Sequence, residues 1–151
     1  MNASRTTPER DPRREPAYPI RTERLDLRPF EPGDLDDMVE YHGKRIVFAT
    51  DTEGYIGGDT LLRRFVEGVD ILIHDAEYTD REYTGPPSRQ GWGHSTWKMA
   101  VRVGKEAGVK KLVLTHHNAK HDDAYMTDLE QTVQEHFANA MVAREGMTLS
   151  L

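Results

Sequence analysis

The stretch Val69-Asp70-Ile71-Leu72-Ile73-His74-Asp75 decides how the rest of the chain is read. Its apolar run is too short for a buried helix and lacks the alternation of a half-wet strand, so it reads as a strand covered on both faces, as in parallel sheets. His74 and Asp75 then stand at the end of that strand. Upstream, Lys44-Arg45-Ile46-Val47-Phe48-Ala49-Thr50 is a β-branched and aromatic strand that ends in the turn Asp51-Thr52-Glu53-Gly54. Between the two, Leu61, Leu62, Phe65 and Val66 have helical spacing, closed by Gly68. Downstream, a Gly/Pro-rich loop from Tyr83 to Gly93 leads to Ser95, expected to cap a helix running to Ala107 with Gly108 as its stop. Lys111-Leu112-Val113-Leu114-Thr115 is a third buried strand, followed by His116 and His117. Asp122 or Asp123 opens a further helix to about Phe137, and short strands are expected at Met141–Arg144 and Met147–Leu151. Strands and helices alternate, so the fold class is α/β.

Groups able to bind metal follow three successive strands: Asp51, then His74 and Asp75, then His116 and His117. Strand ends are where such sheets place ligand groups. Each residue also has a structural reading. Asp51 can cap its turn, His74 can be a hydrogen-bonded residue beside the core, and His94 can be an exposed loop residue. The setting of His94 suggests more, because the backbone donors of Ser95 and Thr96 at a helix start form an anion site beside an imidazole that can give up a proton. His117 and His121 read as solvated or supporting residues; His42 and His136 have no supporting context.

Composition narrows the choices. The 151 residues carry 20 basic and 26 acidic side chains, a net charge of −6, so charge does not indicate nucleic acid or an acidic membrane as a partner. Cysteine is absent, and any metal must be held by His and carboxylates. No apolar run reaches the roughly 20 residues that cross a bilayer, and no apolar stretch of a signal peptide opens the chain. A cytoplasmic protein without a membrane segment is the expectation.

Residues 1–19, rich in Arg, Pro, Glu and Thr, read as a disordered tail. In residues 20–42 a strand at Leu25 and Leu27 and a short helix opening near Pro32 and Asp34 are expected. The phrase Thr22-Glu23-Arg24-Leu25-Asp26-Leu27-Arg28-Pro29-Phe30 resembles the opening strand of GNAT-type N-acetyltransferases. No Gly-rich pyrophosphate loop follows it, so acetyltransfer is not carried by this segment.

Residues 43–151 carry a different resemblance. The phrases Ala49-Thr50-Asp51-Thr52-Glu53, Ile73-His74-Asp75-Ala76-Glu77-Tyr78, Gly93-His94-Ser95-Thr96 and Leu114-Thr115-His116-His117, in that order, resemble the carboxy-terminal half of metallo-β-lactamase-fold hydrolases, in the branch of ribonuclease Z and related phosphodiesterases. The resemblance implies half of an αββα sandwich, one mixed β-sheet with flanking helices. It implies that Asp51 bridges two ions, usually zinc and otherwise manganese or iron, and that His116 is a terminal ligand. It implies that His94 faces the scissile phosphate, with His74, Asp75 and Ser95 in support.

The family's His-x-His-x-Asp-His cluster does not occur in these residues. Asp51 and His116 alone are too few donors for two ions. The sequence therefore carries three readings: a phosphodiester hydrolase whose remaining ligands come from a partner or second copy, a non-catalytic α/β interaction module, and the discounted acetyltransferase. The join near His42-Gly43 reads as a fusion point, and a half-sandwich leaves one sheet face to drive oligomerisation.

Overall fold

The computed structural model describes residues 20–21, 26–27, 37–54 and 58–150. One unit, within residues 1–31, contains the antiparallel pair β1 (Ile20–Arg21) and β2 (Asp26–Leu27). The expected tail at 1–19 lies outside the described residues, as does the expected helix start at Pro32 and Asp34.

The second unit is built on a five-stranded mixed sheet in the order β3 (Asp37–Tyr41), β4 (Lys44–Ala49), β5 (Ile71–Asp75), β6 (Lys111–Thr115), β7 (Ala140–Val142). β3 pairs antiparallel with β4, and the remaining neighbours are parallel. His42 and Gly43, where the sequence suggests a join, form the turn of this hairpin, both with positive φ. The helical signal of Pro32 and Asp34 is local; pairing with β4 makes Asp37–Tyr41 a strand. The expected strand at Met147–Leu151 does not form over residues 147–150, where β7 has already ended and Glu145 and Gly146 make a turn.

Helices connect the parallel strands: α1 (Thr60–Phe65) follows β4, α2 (Asp80–Thr84) and α3 (Trp97–Ala107) lie between β5 and β6, and α4 (Asp123–His136) precedes β7. Strands that pair in sequence order and cross over with one hand put their helices on one sheet face. The register shows that face: Val47, Leu72, Leu112 and Ala140 form one row, and Ala49, His74, Leu114 and Val142 the next. All eight are buried, packed with Ala100 and Val103 of α3 and Leu129 and Val133 of α4. Each fully buried Leu or Val of this layer contributes about 2 kcal/mol by leaving water. The opposite face is more open, with Phe48 48% exposed beside the half-buried Ile73.

The cap of α3 is Thr96, not the expected Ser95: the Thr96 hydroxyl accepts from the Met99 N–H. Ser95 is withdrawn because its side chain is used elsewhere, as described below. Gly108 ends the helix in the left-handed conformation, φ 64°.

Candidate metal centre

Four parallel strands pointing one way bring their carboxyl ends to one edge, and the chemistry collects there. Asp51 follows β4, Asp75 ends β5 and His116 follows β6; the loop before α3 brings His94 alongside. One ligand atom from each of Asp51, His94 and His116 lies within 4.8 Å of the others. A carboxylate and two imidazoles are a donor set that suits zinc, manganese or iron, so these residues fit a divalent cation. The His94 and His116 rings lie 4.5 Å apart between centroids, and His116 Nδ1 is 3.9 Å from both Asp51 Oδ2 and Asp75 Oδ2.

Asp51 and His116 both have left-handed backbones, φ 53° and 57°. This conformation costs a residue with a Cβ roughly 1 kcal/mol, least for Asp, Asn and His. Two such residues at the ends of β4 and β6, on either side of β5, mark a place where backbone strain persists, as it does at functional sites.

Asp75 organises the cluster from beneath. Its carboxylate is fully buried and accepts from His94 Nδ1 (2.9 Å), the Ser95 N–H (2.9 Å), the Asp51 N–H (3.2 Å) and the Glu77 N–H (3.3 Å). One anion thereby fixes the loop after β4, the loop before α3 and the strand it ends. Ser95 adds a second tie, its hydroxyl donating to the Thr52 carbonyl (2.6 Å) and accepting from the Gly54 N–H (2.9 Å). These bonds correct the expected anion site at the start of α3. The Ser95 N–H is taken by Asp75, and the Thr96 N–H lies against Met99 Sδ.

His94 is held at both ring nitrogens, with Glu77 Oε2 3.3 Å from Nε2. Partial burial pulls its pKa down, but the Asp75 hydrogen bond and the charges of Asp75, Glu77 and Asp51 outweigh burial and raise it above the ordinary range. His74 goes elsewhere. It shares the helix-covered face with Ala49 and Leu114, is 1% exposed, and donates from Nδ1 to the Asp75 carbonyl (2.8 Å). Burial lowers its pKa despite that bond and the nearby Asp75 charge. The structure thus gathers Asp51, His94, His116, Asp75 and Ser95, and turns the His74 side chain into the core.

Two carboxylates of the site had no role assigned from sequence. Glu77 faces His94, and Glu53, nearly buried, accepts from the Tyr83 hydroxyl (2.5 Å) and the N–H groups of Gly91 (2.7 Å) and Gly93 (2.9 Å). Burial raises the Glu53 pKa, but these three bonds together with the His94 charge bring it below the ordinary value. A cavity of about 650 Å³ opens beside Asp51, lined by Thr52, Glu53, Asp59, Leu61, Gly91 and Gly93 among others.

The description "Beta-lactamase superfamily domain" matches residues 38–117. Ribonuclease Z of Gemmatimonas aurantiaca is 37% identical over 109 residues, covering 72% of this chain and 32% of that protein. The chain spans about a third of the length of the curated relatives it matches. In fold it is similar to the metallo-beta-lactamase fold protein YhfI of Bacillus subtilis, with TM-score 0.57, 21% identity, and 73% of this chain against 40% of that one. Zn(2+)-bound PqqB of Methylobacterium extorquens gives TM-score 0.56 at 19% identity, over 76% of this chain and 42% of its own.

Proposed function

From a chain that belongs to the beta-lactamase superfamily and has the metallo-β-lactamase fold, we propose a part of a metal-dependent phosphodiester hydrolase. The observation that carries this reading is the meeting of Asp51, His94 and His116 at the carboxyl edge of the sheet. Asp51 and His116 are the proposed ligands, with zinc as the proposed ion, and the zinc-bound fold neighbour supports that choice. A bound divalent cation supplies Lewis acidity there, lowering the pKa of water and neutralising charge on phosphoryl oxygens.

The protein's own residues then have distinct tasks. Both ring nitrogens of His94 face carboxylates, Nδ1 on Asp75 and Nε2 on Glu77, which favours a role for His94 as acid toward a leaving-group oxygen over a role as third ligand. Asp75 and Ser95 fix the loops that carry Asp51 and His94, so both groups meet a substrate in one geometry. His74 supports through the core, by orienting the end of β5.

The ribonuclease Z relatives bear on the substrate. Net charge gave no sign of nucleic acid, but a polynucleotide or other phosphodiester is the proposed class because those relatives are named for it. The further donors of a two-ion centre are proposed to come from a second copy or a partner. Phe48, exposed on the sheet face away from the helices, favours such an association, which light scattering would register as an oligomer.

Turnover of bis(p-nitrophenyl) phosphate by the chain supplied with zinc or manganese tests the reading. Hydrolysis that Asp51→Ala removes supports it. No hydrolysis together with no metal uptake overturns it and leaves the interaction module.

A further inference from the structure

We propose that Trp92 is a stacking platform for a nucleobase, carried by a loop that lines the cleft beside Asp51; this deepens the phosphodiester reading and rests on it. Trp92 is 62% exposed, an indole left in water. An exposed large apolar side chain on a slack loop would need no explanation. This loop is not slack. The Gly91 and Gly93 N–H groups, on either side of Trp92, both donate to the Glu53 carboxylate, while the Trp92 N–H donates to the Arg89 carbonyl and the Arg89 N–H to the Tyr83 carbonyl. Gly91 and Gly93 adopt φ of 82° and 88°, so the path on which Trp92 is mounted is one that residues with side chains would resist.

The surroundings of the indole point to a flat, phosphate-bearing ligand. The Arg89 guanidinium lies over the Trp92 ring, 5.7 Å from its centroid, and over the Tyr78 ring at 5.0 Å. Tyr78 meets His94 edge-on at 6.0 Å, and His94 lies 4.5 Å from His116. A row of planar groups and one cation thus runs from the exposed indole to the metal cluster. The cleft beside Asp51 is lined by Gly91 and Gly93, the residues that flank Trp92, so the indole is mounted on a loop that forms part of the cleft wall. The guanidinium and the indole it lies over, still 62% exposed, offer a phosphate partner and a stacking face, the pair of contacts that single-stranded nucleic acids use without regard to sequence.

Calorimetric titration of the full chain with adenosine 5′-monophosphate and with ribose 5-phosphate separates the base from the rest of the ligand. The expected result is tighter binding of the nucleotide, weakened roughly tenfold by Trp92→Ala and largely restored in Trp92→Phe, with ribose 5-phosphate affected less than about twofold. Circular dichroism confirms that each variant is folded. Equal affinity for the two ligands, or nucleotide binding indifferent to Trp92→Ala, overturns the platform. The readout needs no turnover. A chain that hydrolyses bis(p-nitrophenyl) phosphate yet binds both ligands alike keeps the hydrolase reading and loses this one, and nucleotide binding lost with Trp92 in a chain without metal does the reverse.

Discussion

The His94 imidazole donates from Nδ1 to the buried Asp75 carboxylate across 2.9 Å, and the same carboxylate accepts from three backbone N–H groups on both sides of the cluster. The bond makes the position of this partly exposed histidine, 19% open to solvent, a property of the core. Asp75→Ala leaves these four donors without their acceptor. We expect a loss of about 3 kcal/mol in urea unfolding, several times the effect of an ordinary surface substitution. Asp75→Asn, which keeps an acceptor oxygen but sets amide hydrogens against donors, should fall between alanine and the wild type.

The left-handed backbones of Asp51 and His116 set stability against function. Glycine accepts that conformation without the Cβ penalty, so Asp51→Gly should be more stable than Asp51→Ala by about 1 kcal/mol. Thermal unfolding of the pair measures the difference. Both variants lack the carboxylate and should lack metal binding equally.

Glu53 pins the loop that carries Trp92 through Gly91 and Gly93. In Glu53→Ala the exchange of the Gly91 and Gly93 amide hydrogens should rise at least tenfold, since opening the loop no longer breaks two charge-assisted bonds. Hydrogen exchange in α4, remote from the loop in sequence, should stay as it was.

Acid stability has a separate source. Lys110 Nζ, 2.7 Å away, and the Arg45 N–H, 2.9 Å away, hold the Asp70 carboxyl at a pKa of about 2, the Lys110 bond being the larger cause. A lowered folded-state value means that the stabilisation is present above the ordinary Asp range and fades as pH falls through about 2. Wild type should therefore exceed Asp70→Asn in urea midpoint at neutral pH, and the two should converge in strong acid.

What the sequence revealed and hid follows from range. The apolar run Ile71–Ile73 and its kin at Val47 and Leu112–Leu114 announced parallel strands because burial on both faces leaves a local mark, and the α/β fold with one mixed sheet followed. That Asp51, His94 and His116 meet was legible because two of them follow strands and the third stands just before a helix. β3 was hidden because its strand character comes from pairing with β4, against local signals for a helix. Thr96 took the cap expected of Ser95 because the Ser95 hydroxyl is claimed by Thr52 and Gly54, more than forty residues back. Glu53 and its bonds to Gly91 and Gly93 span a similar distance and leave no trace in spacing.

The most direct test of the metal centre is a zinc titration of the chain, with bound metal measured after dialysis, in the wild type and in Asp51→Ala and His116→Ala. We expect zinc retained in the wild type and weakened at least tenfold in each variant, since each removes one of the few strong donors. A wild type that retains no zinc or manganese, or variants that retain as much as the wild type, would contradict the assignment of Asp51 and His116 as ligands.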